Sequence, residues 1–313
     1  MARKKRGRPV SGWLVVDKPE GMTSTQVVGK VRWLFQAEKA GHGGTLDPIA
    51  TGILPIALGE ATKTVAYAMD GTKCYHFRAR WGEERNTDDR AGEVTATSDL
   101  RPATAAIEAV LPAFVGDIEQ IPPQFSAIKL DGERAYDLAR AGEVLDLQSR
   151  LVHVERLSLI GQPDADHADF EVVCGKGTYM RSLARDIGRA LGCLGHVAEL
   201  RRLSVGRFTL ERAISLDELA ALGQGADLDS HLLPIETALD DIPALALTAE
   251  EAHRLRQGQA VALLRRQDFE RLGTLFDESS EREVVLLATS AGRPVALCRL
   301  EGAELRPMRV INN

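Results

Sequence analysis

Asp47 sits in a glycine-rich segment, Gly41-His42-Gly43-Gly44-Thr45-Leu46-Asp47-Pro48-Ile49-Ala50-Thr51-Gly52. Glycines reach backbone shapes closed to other residues, so the segment predicts a structured loop. Such a loop could hold the Asp47 carboxylate rigidly, as nucleophile or general base. The plainer reading is an Asp-Pro turn with an ordinary loop histidine at His42. Tyr75 lies on the apolar side of an alternating stretch. Its ring belongs either to the core or under a nucleobase. Arg181, Arg185, Arg189, Arg201, Arg202 and Arg207 gather positive charge in one stretch. They are either surface ion pairs or a ridge facing phosphates. Gly175-Lys176-Gly177-Thr178 lacks the full spacing of a nucleotide-triphosphate loop. Cys74, Cys174, Cys193 and Cys298 are too scattered for a metal knuckle, so free thiols and no metal are expected. Neither a Ser-His-Asp order nor a dinucleotide fingerprint can be defended. Read one by one, these residues leave a cofactor-free enzyme acting on RNA as one option among several.

The elements that would position these residues are partly readable. Trp13-Leu14-Val15-Val16-Asp17 predicts a strand, ended by the turn residues Lys18-Pro19-Glu20-Gly21. Thr23 and Gln26 have capping-box spacing, and Val27, Val28, Val31, Leu34 and Phe35 follow on one helical face. Tyr75, Phe77, Ala79 and Trp81 alternate with His76, Arg78 and Arg80, which predicts a half-buried strand. Ala103 to Val115 reads as a helix, as does a short piece around Ala135 to Ala139. Leu151 to Ile160 and Asp169 to Cys174 read as strands. From Tyr179 to Leu191 a helix turns Leu183, Ile187 and Leu191 to the core. Arg181, Arg185 and Arg189 form an offset stripe, expected to be a positive ridge. Asp240-Asp241-Ile242-Pro243 looks like a linker. After it come a short helix, Thr248 to Arg256, and two strand-like runs between Glu283 and Leu300, which predict a small β-rich domain.

The 313 residues suggest two domains. A net charge of −6 argues against a uniformly basic nucleic-acid binder. Phosphates respond to local potential, however, and five basic residues fall between Arg3 and Arg8. Residues 1–10 are expected to form a basic flexible tail. No apolar core of a secretory signal follows them, and no apolar run approaches the ~20 residues of a membrane span. The cytoplasm is the expected location.

Together the motifs go further. The Gly41–Gly52 segment closely resembles the catalytic loop of TruB-type tRNA pseudouridine synthases. Asp17-Lys18-Pro19-Glu20-Gly21-Met22-Thr23-Ser24 resembles that family's N-terminal motif, and Lys73-Cys74-Tyr75 the motif carrying its active-site tyrosine. Gln120-Ile121-Pro122-Pro123-Gln124-Phe125-Ser126-Ala127-Ile128-Lys129 is similar to the start of its RNA-clasping insertion. Gly177-Thr178-Tyr179-Met180-Arg181-Ser182-Leu183 and Leu200-Arg201-Arg202 match two later motifs, in order. Gly43 departs from the pattern, which leads one to expect Thr or Ala there.

The resemblance implies an α+β pseudouridine synthase fold, a mixed and largely antiparallel sheet flanked by helices. The catalytic domain would span residues 11–243, with the RNA-clasping insertion at about 119–150. A small PUA-like RNA-binding domain would span 244–313. The implied activity turns uridine 55 in the tRNA T-loop into pseudouridine by base flipping, without a cofactor. Asp47 would be the catalytic aspartate and Arg181 the partner that holds it ionised and oriented. Tyr75 would stack on the target base, and Tyr179 and Leu200 would line its pocket. His42 would enter the T-loop, Lys18 and Pro19 would pack near the loop, and Arg202 would meet RNA. The T-arm of tRNA is the expected partner. No obligate protein partner is expected, and the chain would act as a monomer. A silent tRNA-binding protein and an N-glycosidase releasing the base are the rival classes.

Overall fold

The computed structural model describes residues 7–126, 128–130, 133–135, 138, 145–263 and 284–312. A central sheet runs in the order Ile214–Ser215, Gly12–Lys18, Ala50–Leu58, Gly195–Val205, Lys73–Trp81, His167–Cys174, Arg150–Gly161, Gly116–Gln120. Short strands at Ala40–His42 and Phe208–Thr209 join its sides. Pairing along that order is parallel at Gly12–Lys18 with Ile214–Ser215 and at Gly195–Val205 with Ala50–Leu58; the other pairs are antiparallel. The sheet is therefore mixed and largely antiparallel, as expected.

Gly12–Lys18 and Ala50–Leu58 are almost continuously apolar because both their faces are covered. Successive side chains point to opposite faces. Leu14, Val16, Leu54, Ile56 and Leu58 enter one core with Val27, Val31 and Leu34 of the helix Ser24–Leu34, and Leu183 and Ile187 of the helix Met180–Ala190. Trp13, Val15, Ile53 and Ala57 face the other way. There they meet Phe208, whose ring centroid lies 5.0 Å from that of Trp13, and Leu287, Leu297 and Ile311.

Those last three residues belong to a second sheet, ordered Ala244–Ala246, Val284–Ser290, Arg293–Glu301, Glu304–Val310, Val261–Ala262, or directly follow its strands. Its outer core, with Leu245, Leu286, Ala296 and Leu305, is closed by Ala252 and Leu255 of the helix Ala249–Arg256. The shared apolar layer makes this β-rich unit part of the fold's support. Truncation at Ile242 is expected to bare Trp13, Val15 and Phe208, giving a protein that aggregates or melts well below the full chain. Calorimetry and light scattering on residues 1–242 check this; a soluble fragment melting with the full chain would refute it.

Several expectations shift. The capping box forms as read: Thr23 Oγ1 accepts from Gln26 N at 3.2 Å and Gln26 Oε1 from Thr23 N at 2.8 Å. The expected helix from Ala103 becomes an α-helix, Thr104–Val110, and a 3-10 turn, Leu111–Phe114. Pro112 has no N–H to continue the α-helical ladder. The segment 41–52 is loop only in its middle, because its ends join the strands Ala40–His42 and Ala50–Leu58. Arg8 and Val10, expected in the basic tail, are tied into the fold. Arg8 N donates to Gln36 O, its guanidinium lies 2.6 Å from Asp229 Oδ2, and Val10 is buried in the core. Residues 1–6 lie outside those described, as do parts of the insertion expected at 119–150. Within it Lys129–Leu130 pairs with Glu133–Arg134; the helix expected around Ala135 to Ala139 falls mostly outside the described residues.

Candidate active site

The Asp47 loop is pinned from every side. Ser24 Oγ accepts from Leu46 N at 2.8 Å and donates to Leu46 O at 3.0 Å. Gly43 N donates to Pro55 O, and Gly21 N to Pro48 O, both at 2.8 Å. Gly43 is buried, and a Cβ there would stand 3.2 Å from the Ala68 Cβ and 3.4 Å from Trp13 Cζ3. The departure from the family pattern thus sits where Ala68 and Trp13 leave little room. Gly52 closes the loop at φ +98°, and an added Cβ would lie 2.1 Å from Arg202 O. Gly52→Ala is expected to cost roughly 3 kcal/mol or more, from the left-handed backbone and the clash with a paired strand. Urea unfolding measures it; stability within about 1 kcal/mol of wild type, the ordinary mutational scatter, would contradict the geometry.

Asp47, Tyr75, Tyr179, Arg181, Leu200 and Arg202 line one cavity of about 260 Å³. Arg181 is buried and grips Asp47 with two nitrogens: Nε lies 2.8 Å from Oδ2, and Nη2 donates to Oδ1 at 3.2 Å. Its other bonds fix the fork, Nη1 to Thr87 O and Nη2 to Phe125 O, both at 3.0 Å. One third of the Asp47 side chain stays exposed, so the paired carboxylate can still meet a ligand. Burial raises the pKa of Tyr75 and of Tyr179, which keeps both phenols neutral at pH 7. Chemically the site offers a held carboxylate beside flat and apolar walls.

His42, Lys18 and Pro19 do not line that cavity. His42 is half-buried, its Nδ1 has no hydrogen-bond partner among the described residues, and burial lowers its pKa, favouring the neutral ring. Pro19 is exposed. Lys18 is fully buried under the loop, where Nζ donates to Pro19 O at 2.8 Å and reaches Pro48 O at 3.4 Å. Burial pushes its ammonium down to about 8. Lys18 is thus a brace of the Asp47 loop.

The positive ridge is corrected. Arg181 and Arg185 are buried; Arg185 lies 2.9 Å from Asp88 and 2.8 Å from Asp186, and Arg189 lies 2.8 Å from Glu84. Arg201 pairs with Asp17 at 2.7 Å and Arg207 with Asp240 at 2.8 Å. Each of these cations is met by an acid, so none stands as the unpaired charge that a ridge facing phosphates would present. Arg202 is also corrected as a phosphate contact. It is 1% exposed, with Nε donating to Ile53 O at 2.7 Å and Nη2 to Gly44 O at 3.0 Å. Arg202→Gln should therefore leave the slope of log-affinity against log-salt unchanged, where a phosphate contact would reduce it by about one. Turnover should fall roughly 10–100-fold as the loop loses its strut. Salt titration of RNA binding with single-turnover rates tests both; a slope reduced by about one restores the phosphate role.

Three residues without a role assigned from sequence also shape the site. Gln120 is buried and clamps the Tyr179 backbone: its Oε1 accepts from Tyr179 N at 2.8 Å, and its Nε2 donates to Tyr179 O at 3.2 Å. Ser24 holds Leu46 as described. Lys73 lines the cavity two residues before Tyr75. All three lie inside the quoted motifs, so a motif position with a polar side chain was the available signal.

Solved structures identify the fold. An H/ACA ribonucleoprotein bound to a substrate RNA containing 2′-deoxyuridine superposes with a TM-score of 0.72 at 22% identity, covering 100% of this chain and 92% of the other. A Cbf5–Nop10–Gar1 complex gives 0.72 at 24%, covering 100% and 91%. The fold is the pseudouridine synthase fold, with a C-terminal β-rich domain. Residues 32–180 match the model of the TruB family pseudouridylate synthase N-terminal domain, and residues 181–240 that of the tRNA pseudouridylate synthase B C-terminal domain. The chain is 54% identical to the tRNA pseudouridine synthase B of Caulobacter vibrioides, over 99% of both chains. It is 56% identical to that of Gluconacetobacter diazotrophicus, over 99% of this chain and 100% of the other. The chain belongs to the TruB family of pseudouridylate synthases and is an enzyme of that class.

Proposed function

We propose that this enzyme isomerises uridine 55 in the T-loop of tRNA to pseudouridine. The observation that carries the reading is the Asp47–Arg181 pair in a cavity walled by Tyr75, Tyr179 and Leu200. The name shared by relatives such as those of Caulobacter vibrioides and Rhodospirillum rubrum, tRNA pseudouridine synthase B, supports the substrate. The target base leaves its stack at a cost of a few kcal/mol. Stacking on Tyr75 offsets about 1–3 kcal/mol of it, and the neutral His42 ring fills the gap in the loop. Leu200 and Tyr179 close the pocket against the base. The N1–C1′ bond then breaks, the base turns, and C5 joins C1′. The rearrangement is redox-neutral and adds no atoms, so it calls for no electron carrier or co-substrate. Asp47 acts ionised, whether toward C1′, toward the base or toward a sugar proton. The PUA-like C-terminal unit adds an RNA contact, and the enzyme works as a cytoplasmic monomer. Chromatography of nucleosides from unmodified tRNA after incubation tests the reading. Pseudouridine at position 55 supports it; free uracil would mean a glycosidase, and unchanged uridine a binder.

A further inference from the structure

We infer that Lys73 is a further catalytic group, whose ammonium faces the detached base and stabilises the negative charge that base carries. The inference rests on the pseudouridine synthesis proposed above. Lys73 and Tyr75 are two residues apart on one strand, so both point to the same side of the sheet, and both line the Asp47 cavity. Cys174, the register partner of Lys73, leads directly into Gly175-Lys176-Gly177-Thr178, which lines the cavity too.

The residue is 6% exposed, and its one hydrogen bond among the described residues runs from Nζ to Met69 O. An ammonium has three donors, so two remain. No ion pair among the described residues includes Lys73. A buried cation without a carboxylate is costly. Burial pushes its pKa down to about 8, helped by Arg202 and Lys176 and opposed by Cys174 and Asp70. At pH 7 the charged form still dominates, and an anion entering the cavity would relieve its cost.

The reaction supplies one. When the N1–C1′ bond breaks, its electron pair leaves with the base and spreads over O2 and O4, while Asp47 faces the electron-poor sugar. Joining C5 to C1′ returns the pair to a bond. The C5 proton departs to solvent and N1 takes one up, so charge and electrons balance. A cation beside O2 or O4 favours the detached state over the bound nucleoside, which is the condition for acceleration.

The test is a single-turnover assay on T-arm hairpins carrying uridine, 2-thiouridine or 4-thiouridine at the target. Lys73→Gln keeps a donor for Met69 O and loses the charge. It should slow the uridine substrate by about 10²-fold with hairpin affinity within about threefold, and Lys73→Arg should recover at least about tenfold. On the thio-substrate whose sulfur replaces the oxygen that Lys73 meets, the gap between wild type and Lys73→Gln should shrink to about threefold. Mere loosening of the fold would leave the same gap on all three substrates, and that result overturns the inference. So does a folded Lys73→Gln protein within about threefold of wild type on uridine, the scatter allowed for hairpin affinity. Thermal melts check folding, and Lys73→Met serves if the glutamine variant does not fold. A wild-type protein that makes no pseudouridine would fell the parent reading first.

Discussion

Asp47→Asn is expected to abolish pseudouridine formation while leaving RNA affinity within about threefold of wild type. The substitution keeps size and shape but removes the charge. Every route from uridine to pseudouridine through this site uses the carboxylate ionised, as nucleophile or base, so the loss should reach at least about 10³-fold. Binding rests on stacking rings and pocket walls that the substituted amide leaves unchanged. The loop also keeps its shape, because Ser24, Gly21, Lys18 and Arg202 hold its backbone rather than its carboxylate. The measurement is tritium release from C5-labelled uridine in a T-arm hairpin, with affinity on the same RNA and mass spectrometry to exclude deamidation. A folded, undeamidated variant turning over near the wild-type rate would remove Asp47 from the chemistry.

Arg181→Met should produce the next largest defect, and unlike Asp47→Asn it should also destabilise the fold. Arg181 joins Asp47 to two backbone carbonyls, Thr87 O and Phe125 O, and its Nη1 lies 3.9 Å from the buried Asp89. Methionine fills the volume but strands those acceptors. Losing one partner of a buried charge group costs about 3 kcal/mol, and the melting temperature should drop by roughly 5–10 °C. Asp47 loses the fork that orients it, so the single-turnover rate should fall about 10²–10³-fold. Arg181→Lys restores the charge without the fork and should recover stability more than rate. Calorimetry and the tritium assay on both variants separate these effects. An Arg181→Met protein with unaltered melting and rate would mean that the pair neither supports the loop nor aims the carboxylate.

The contrast between these residues and the arginine stripe marks how far the sequence could be read. The pleat of Tyr75, Phe77, Ala79 and Trp81 was legible because side chains alternate along any strand. The Thr23–Gln26 cap was legible because both partners lie within one turn. Asp47 stood out as a candidate because glycines crowd around it. Only the ordered motifs, through their resemblance to a family, raised that carboxylate above an ordinary Asp-Pro turn.

Spacing also told which helix face carries Arg181, Arg185 and Arg189, but not what lies opposite. Their partners Asp47, Asp88 and Glu84 are 134, 97 and 105 residues away. Arg202 looks like a surface charge in sequence, yet its strand is central in the sheet, parallel to Ala50–Leu58, and its Nε and Nη2 donate to the backbone of Ile53 and Gly44. Likewise nothing local told Trp13 and Val15 that Leu287, Leu297 and Ile311 would cover them. Periods, caps, turns and the family's motif residues were legible without the fold, because backbone geometry and local hydrogen bonds set them within a few residues. Which charges are neutralised, which lysine braces the loop and which lines the cavity emerged only on folding. Those outcomes depend on contacts between distant segments, and a charge costs or contributes according to the partner and the solvent that folding leaves beside it.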